Sequence, residues 1–144
     1  MSDFEGRCLC GAVGFAVTPP TLFCAHCHCR WCRAAHGAAF VTWVGAAEDR
    51  FRLLPGSAEP HWFQSSPQSR RGFCGTCGTT LFFASTICPG EIHVVRAAFE
   101  GAIDREPNCH IFHDQRAEWF EATDGLPRYT SEEPGLAKFK AVRR

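Results

Sequence analysis

The chain has 144 residues, with fifteen basic and fifteen acidic side chains, so it lacks the cationic excess that draws a protein onto nucleic acid by phosphate neutralisation. Its hydrophobic fraction of 45% is ordinary for a globular protein, and no apolar run approaches the roughly 18 residues of a membrane span. Ten cysteines are the anomaly.

In chain order, Met1 to Arg7 have neither the apolar core nor the cleavage site of a secretory signal, and the expected compartment is the cytoplasm. Val13, Phe15 and Val17 alternate as a strand does, and Val41 and Trp43 do so with Phe40 and Val44 on the opposite face. Further short strands are expected over Phe51 to Leu54, His61 to Gln64, Leu81 to Phe83 and Ile92 to Ala97. Turn residues separate them at Pro19-Pro20, Pro55-Gly56, Pro67, Gly75, Gly78 and Pro89-Gly90. A short helix is predicted from Cys29 to His36, and a second over Leu136 to Val142 behind a capping box at Thr130 to Glu133. The expectation is a mainly β chain, residues 1–144 forming one domain with no repeat and no linker.

A reducing cytosol makes a disulfide framework improbable, and seven of the cysteines fall in close groups, as metal ligands do. Cys8 and Cys10 form a C-x-C and Cys74 and Cys77 a C-x-x-C, each able to turn two sulfurs toward one ion. Together they supply four ligands, a closed set that stabilises rather than reacts. Gly11, Gly75 and Gly78 suit the sharp backbone of such knuckles. The rival reading of Cys74 and Cys77, a redox motif, needs a strand leading into a helix, whereas the residues after Gly78 read as a strand.

Cys27, Cys29 and Cys32 bring three thiolates to a second ion, the ligand number of a catalytic zinc with an open fourth position. Three thiolates leave a dication with a net charge near −1, better suited to deprotonating a soft thiol than to activating water. The alternative is a closed second site completed by Cys24, His26 or His28. Residues three apart on a continuous strand face opposite ways, so Cys24 is expected to be a packing residue with a protonated thiol and not a ligand. Cys88 and Cys109 are expected to be small buried hydrophobes.

With these groups the sequence resembles the glutathione-dependent formaldehyde-activating enzyme family. The resemblance rests on Gly6 to Val13, Cys27 to Arg33, Ala39 to Val41, Arg71 to Gly78, Leu81-Phe82, His110 to Phe112, Trp119 and Asp124 to Pro127. It departs from the family pattern at Ala34 and in carrying Cys24. What it implies is a β-tent fold with two Zn2+ per chain: a structural zinc on Cys8, Cys10, Cys74 and Cys77, and a catalytic-type zinc on Cys27, Cys29 and Cys32. The activity it implies is that of a carbon–sulfur lyase joining the glutathione thiol reversibly to formaldehyde to give S-(hydroxymethyl)glutathione. The partners are then a small-molecule thiol and aldehyde, with neither nucleic acid nor membrane. Arg33 and Arg71 are the arginines picked, by position, for the carboxylates of glutathione, with Arg70 and Arg96 as further candidates. A function of another class, a zinc-stabilised binding module without turnover, is separated from the enzyme by the fourth ligand of the second ion.

Overall fold

The computed structural model describes residues 2–139. Along the chain run β1 (Phe4–Arg7), β2 (Gly14–Val17), β3 (Phe23–Cys27), helix α1 (Arg30–His36), β4 (Val41–Ala47), β5 (Phe51–Leu53), β6 (His61–Gln64), β7 (Ser69–Phe73), β8 (Thr80–Ser85), β9 (Glu91–Val95), β10 (His110–Ile111) and helix α2 (Pro134–Ala137). The chain is mainly β, as the alternation of apolar residues predicts. Among the described residues no helix is long and apolar enough to cross a membrane.

Two sheets form. One has the order β1-β2-β5 and the other β10-β3-β4-β9-β8-β7-β6. Every pairing is antiparallel except that of β10, which lies parallel to β3 and sets His110 opposite His26 and Ile111 opposite Cys27.

Successive residues of a strand point to opposite faces, and this alternation decides the use of each face of the larger sheet. Cys24, Val44, Val94 and Phe82 are register partners across four neighbouring strands, and all are at most 1% exposed. Facing them, Phe15 of β2 meets Phe82 edge-on at 5.5 Å and Phe99 at 5.2 Å, while Phe51 of β5 lies 5.2 Å from Phe82. Each such buried aromatic contributes about 1.5 to 3 kcal/mol, and the two sheets close on this cluster. The other face, carrying Cys27, Trp43, Arg71, Phe83 and His93, lines a cavity of about 350 Å³.

Several expectations need adjustment. The predicted strand over Ile92 to Ala97 ends at Val95, where a 3-10 turn takes over at Arg96–Ala98. The capping box does not form: α2 starts at Pro134 with Glu133 as its cap and without a side-chain bond, and the Thr130 hydroxyl accepts the Glu132 N–H at 3.3 Å while the Glu133 N–H goes to the Thr130 carbonyl. The end of that predicted helix, from residue 140 to 142, lies outside the described residues.

Candidate metal centres

Cys8 and Cys10 sit in the turn between β1 and β2, and Cys74 and Cys77 in the turn between β7 and β8; their four sulfurs all lie within 4.8 Å of one another. Sγ of Cys10 is 3.7 Å from that of Cys8 and 3.8 Å from that of Cys74. A tetrahedron of sulfurs about 2.3 Å from zinc has edges of about 3.8 Å, whereas a disulfide needs about 2.05 Å. None of the ten cysteines is in a disulfide. The spacing is that of ligands to a common ion.

Both turns are built as knuckles. Gly11 and Gly78 take φ of 81° and 78°, a region closed to most side chains. Gly75 has an ordinary φ, and a Cβ there would fall 2.4 Å from the exposed His61 ring, which would have to turn aside. Backbone N–H groups point at the sulfurs, from Val13 to Cys8 at 3.3 Å and from Cys77 to Cys74 at 3.5 Å. The Thr79 hydroxyl, 3.1 Å from Sγ of Cys77, leads the hydrogen bonds that hold that thiol down to about 5. Leu9 N–H donates to the same hydroxyl at 3.1 Å, tying one knuckle to the other.

The second group forms at the end of β3. Cys27 is the last strand residue, Cys29 caps α1 by accepting the Cys32 N–H at 3.5 Å, and Cys32 lies in the first helical turn. Sγ of Cys27 and Cys32 are 3.6 Å apart, and all three cysteines are buried on the cavity wall. Without a cation, this crowding holds the Cys27 thiol well above its ordinary value, chiefly through the hydrogen bond shared with Cys29; a dication reverses that preference. Cys32 receives the indole N–H of Trp43 at 3.5 Å and the guanidinium of Arg71 at 3.7 and 3.8 Å.

Among the described residues no fourth Cys, His, Asp or Glu joins this group. β3 pairs with β4 without a break in register, so Cys24 points into the core, where burial lifts its thiol to about 11. His26 bonds Thr42 at 2.8 Å. His28 is buried, its Nε2 2.7 Å from Nδ1 of His110, and Nε2 of His110 is 2.9 Å from the Asp124 carboxylate. This chain fastens the Cys27–Cys29 loop to β10 and to the Asp124 turn. The sequence brought His28, His110 and Asp124 into view only as separate motif positions, with nothing to show that residues 82 apart would bond.

The predicted arginines separate. Arg71 stands on the cavity wall, whereas Arg33 is half-buried and lines neither that cavity nor the neighbouring recess of about 1050 Å³. Arg70 covers the Trp62 ring at 4.0 Å and Arg96 donates to the Gly101 carbonyl. Arg30, not singled out from the sequence, lines the recess, which meets the cavity at Trp31, Ser65 and Arg71.

Residues 3–115 match the family described as glutathione-dependent formaldehyde-activating enzyme. A lyase of Schizosaccharomyces pombe, uncharacterised, is 31% identical over 126 residues, covering 78% of this chain and 87% of its own. A protein of Halomonas elongata, named as a candidate glutathione-dependent formaldehyde-activating enzyme, is 26% identical over 125 residues, 81% of this chain and 79% of its own. The crystal structure of a Rhodobacter sphaeroides protein superposes with a TM-score of 0.59 at 25% identity, over 88% of this chain and 99% of that one.

Proposed function

The chain belongs to the glutathione-dependent formaldehyde-activating enzyme family, and from that premise we propose that it is a zinc-dependent carbon–sulfur lyase. The proposed reaction is the reversible addition of a thiol, glutathione, to a small aldehyde, formaldehyde, to give S-(hydroxymethyl)glutathione. One observation carries this reading: three convergent sulfurs, from Cys27, Cys29 and Cys32, border a cavity and have no fourth protein donor among the described residues. That donor set fits a catalytic zinc, and the four sulfurs of Cys8, Cys10, Cys74 and Cys77 fit a structural one. Cys27, Cys29 and Cys32 would hold the zinc, which would supply a Lewis acid able to lower the pKa of a substrate thiol toward neutral pH.

The surrounding side chains do the rest. Arg71 and Trp43 direct N–H groups at Cys32 and fix the orientation of its sulfur. Aromatic walls, among them Phe23 and Phe83, keep competing water from a small carbonyl. The recess beyond Arg71 offers the guanidinium of Arg30 to a carboxylate of the peptide, a role for which Arg33 is placed less well. A reducing cytoplasm, which keeps such thiols free, suits this chemistry.

The uncatalysed addition proceeds by itself, so rate and not yield is the measure. Exchange NMR of glutathione with formaldehyde should show faster interconversion of free and hydroxymethylated thiol as the zinc-loaded protein is added. An exchange rate independent of protein concentration, with zinc bound at both cysteine groups, removes the formaldehyde assignment.

A further inference from the structure

Cys88 follows the Phe82–Phe83 strand in the turn from β8 to β9, and Glu91 and His93 are alternate residues on β9, so both point to the cavity face. Glu91 Oε2 is 2.9 Å from His93 Nε2, and Cys88 Sγ is 4.0 Å from the same nitrogen. The three donor atoms lie within 4.8 Å of one another, and Cys88 and His93 are buried. The sequence reading left Cys88 as a small hydrophobe; it is buried, as expected, but beside two polar groups.

A Cys-His-Glu set can act as a nucleophilic relay or as a ligand set, and the geometry separates the two. A relay needs the thiol on one imidazole nitrogen and the carboxylate on the other, so that the ring passes a proton between them. Here thiol and carboxylate meet the same nitrogen. They converge on one point, as ligands do. Around a tetrahedral zinc, ligand atoms of these kinds stand about 3.3 to 3.6 Å apart, between the two distances observed, so small side-chain rotations suffice.

We propose that Cys88, Glu91 and His93 form a third metal site, for zinc or a similar borderline divalent cation, open toward the cavity that Cys27, Cys29 and Cys32 also border. One thiolate, one carboxylate and one neutral imidazole make a mixed three-ligand set, the number that leaves a fourth position for an exogenous ligand. Their two negative charges cancel those of the cation, so the site is less electron-rich than the three-thiolate group. Binding sends the Cys88 proton to solvent and leaves the His93 proton on Nδ1. The thiol is held up by burial and the Glu91 carboxyl held low by its hydrogen bond to His93. Lys138, also on the cavity wall, brings one positive charge near both and weakens but does not block the site.

The site does not depend on the lyase reading, and its test counts metal rather than turnover. Native mass spectrometry of the full chain, titrated with zinc, is expected to show three ions per chain. His93→Ala should show two, and Cys27→Ser should lose an ion while keeping the third. Glu91→Gln, at the most exposed of the three positions, keeps the fold and should weaken the third ion by about tenfold or more. Cobalt bound there should give a weaker sulfur charge-transfer band than cobalt at either cysteine group. Saturation at two ions in the wild-type protein overturns the proposal, as does a third ion held equally by wild type, His93→Ala and Glu91→Gln.

Discussion

Both terminal nitrogens of Arg71, a residue only 8% exposed, lie against Sγ of Cys32, at 3.8 and 3.7 Å. A buried guanidinium costs several kcal/mol unless an anion accompanies it, and no ion pair among the described residues includes Arg71. The anion it needs is the thiolate group itself.

Arg71→Met keeps an unbranched apolar stem in place of the arginine's aliphatic chain and removes the charge that stands 5.2 Å from the Phe83 ring centre. Zinc affinity at Cys27, Cys29 and Cys32 should fall by about 10- to 100-fold, the usual loss when a partner of a ligand is removed, while the other cysteine group keeps its ion. In the exchange assay kcat should fall more than KM rises, and Arg71→Lys should recover part of the loss. A rise in KM alone, with zinc affinity unchanged, would instead make Arg71 a carboxylate receptor.

The two cysteine groups should fail differently. Cys77→Ser opens a closed cage that joins the β1–β2 turn to the β7–β8 turn; structural zinc contributes roughly 10 to 16 kcal/mol in small peptides, as much as the whole net stability of a domain. Unfolding or loss of soluble protein is expected. Cys29 is also the cap of α1, and serine is among the best caps, so Cys29→Ser removes a ligand yet preserves the helix. Its melting temperature should fall much less, while activity is lost. Equal destabilisation by the two variants, followed by thermal denaturation, would make both groups structural.

The contrast between these groups was legible in the sequence because ligand pairs sit two or three residues apart, and a C-x-C or C-x-x-C declares its geometry locally. Strands such as β4 and β6 were legible from apolar and aromatic runs. β7 was not among the expected strands, because Arg70 and Arg71 in sequence break the apolar alternation and the burial of Arg71 is explained only by Cys32, 39 residues away. β3 was legible through its cysteines, as the continuous strand that sets Cys24 and Cys27 on opposite faces, whereas the two-residue β10 was not, because it is held beside β3 by backbone bonds from His26 and His28 and by the bond between His28 and His110. The ligands were therefore readable, and the side chains that orient them were not, because those meet only across the fold.

One of those orienting contacts carries a pH dependence. His36, in the last turn of α1, sets its ring edge-on to Trp43 at 5.2 Å, with a buried Nε2 that has no hydrogen-bond partner. Burial first, and then the Arg71 charge, hold it down from 6.5 to about 4. The folded protein thus refuses a proton that the unfolded chain accepts. Stability from this group is intact above pH 6.5, is lost as pH falls from 6.5 toward about 4, and changes no further below that. The loss amounts to at most about 3 kcal/mol. Thiolate protonation also weakens the protein over this range, so the informative quantity is a difference between two proteins. His36→Phe keeps a ring against Trp43 and cannot take up a proton, while leaving every cysteine in place. Urea unfolding at intervals from pH 7.5 to about 4 should show the wild type losing more stability than the variant, with the gap opening below 6.5. Parallel curves would mean that His36 takes up its proton as readily in the folded protein as in the unfolded chain, and that its ring is not sealed against Trp43.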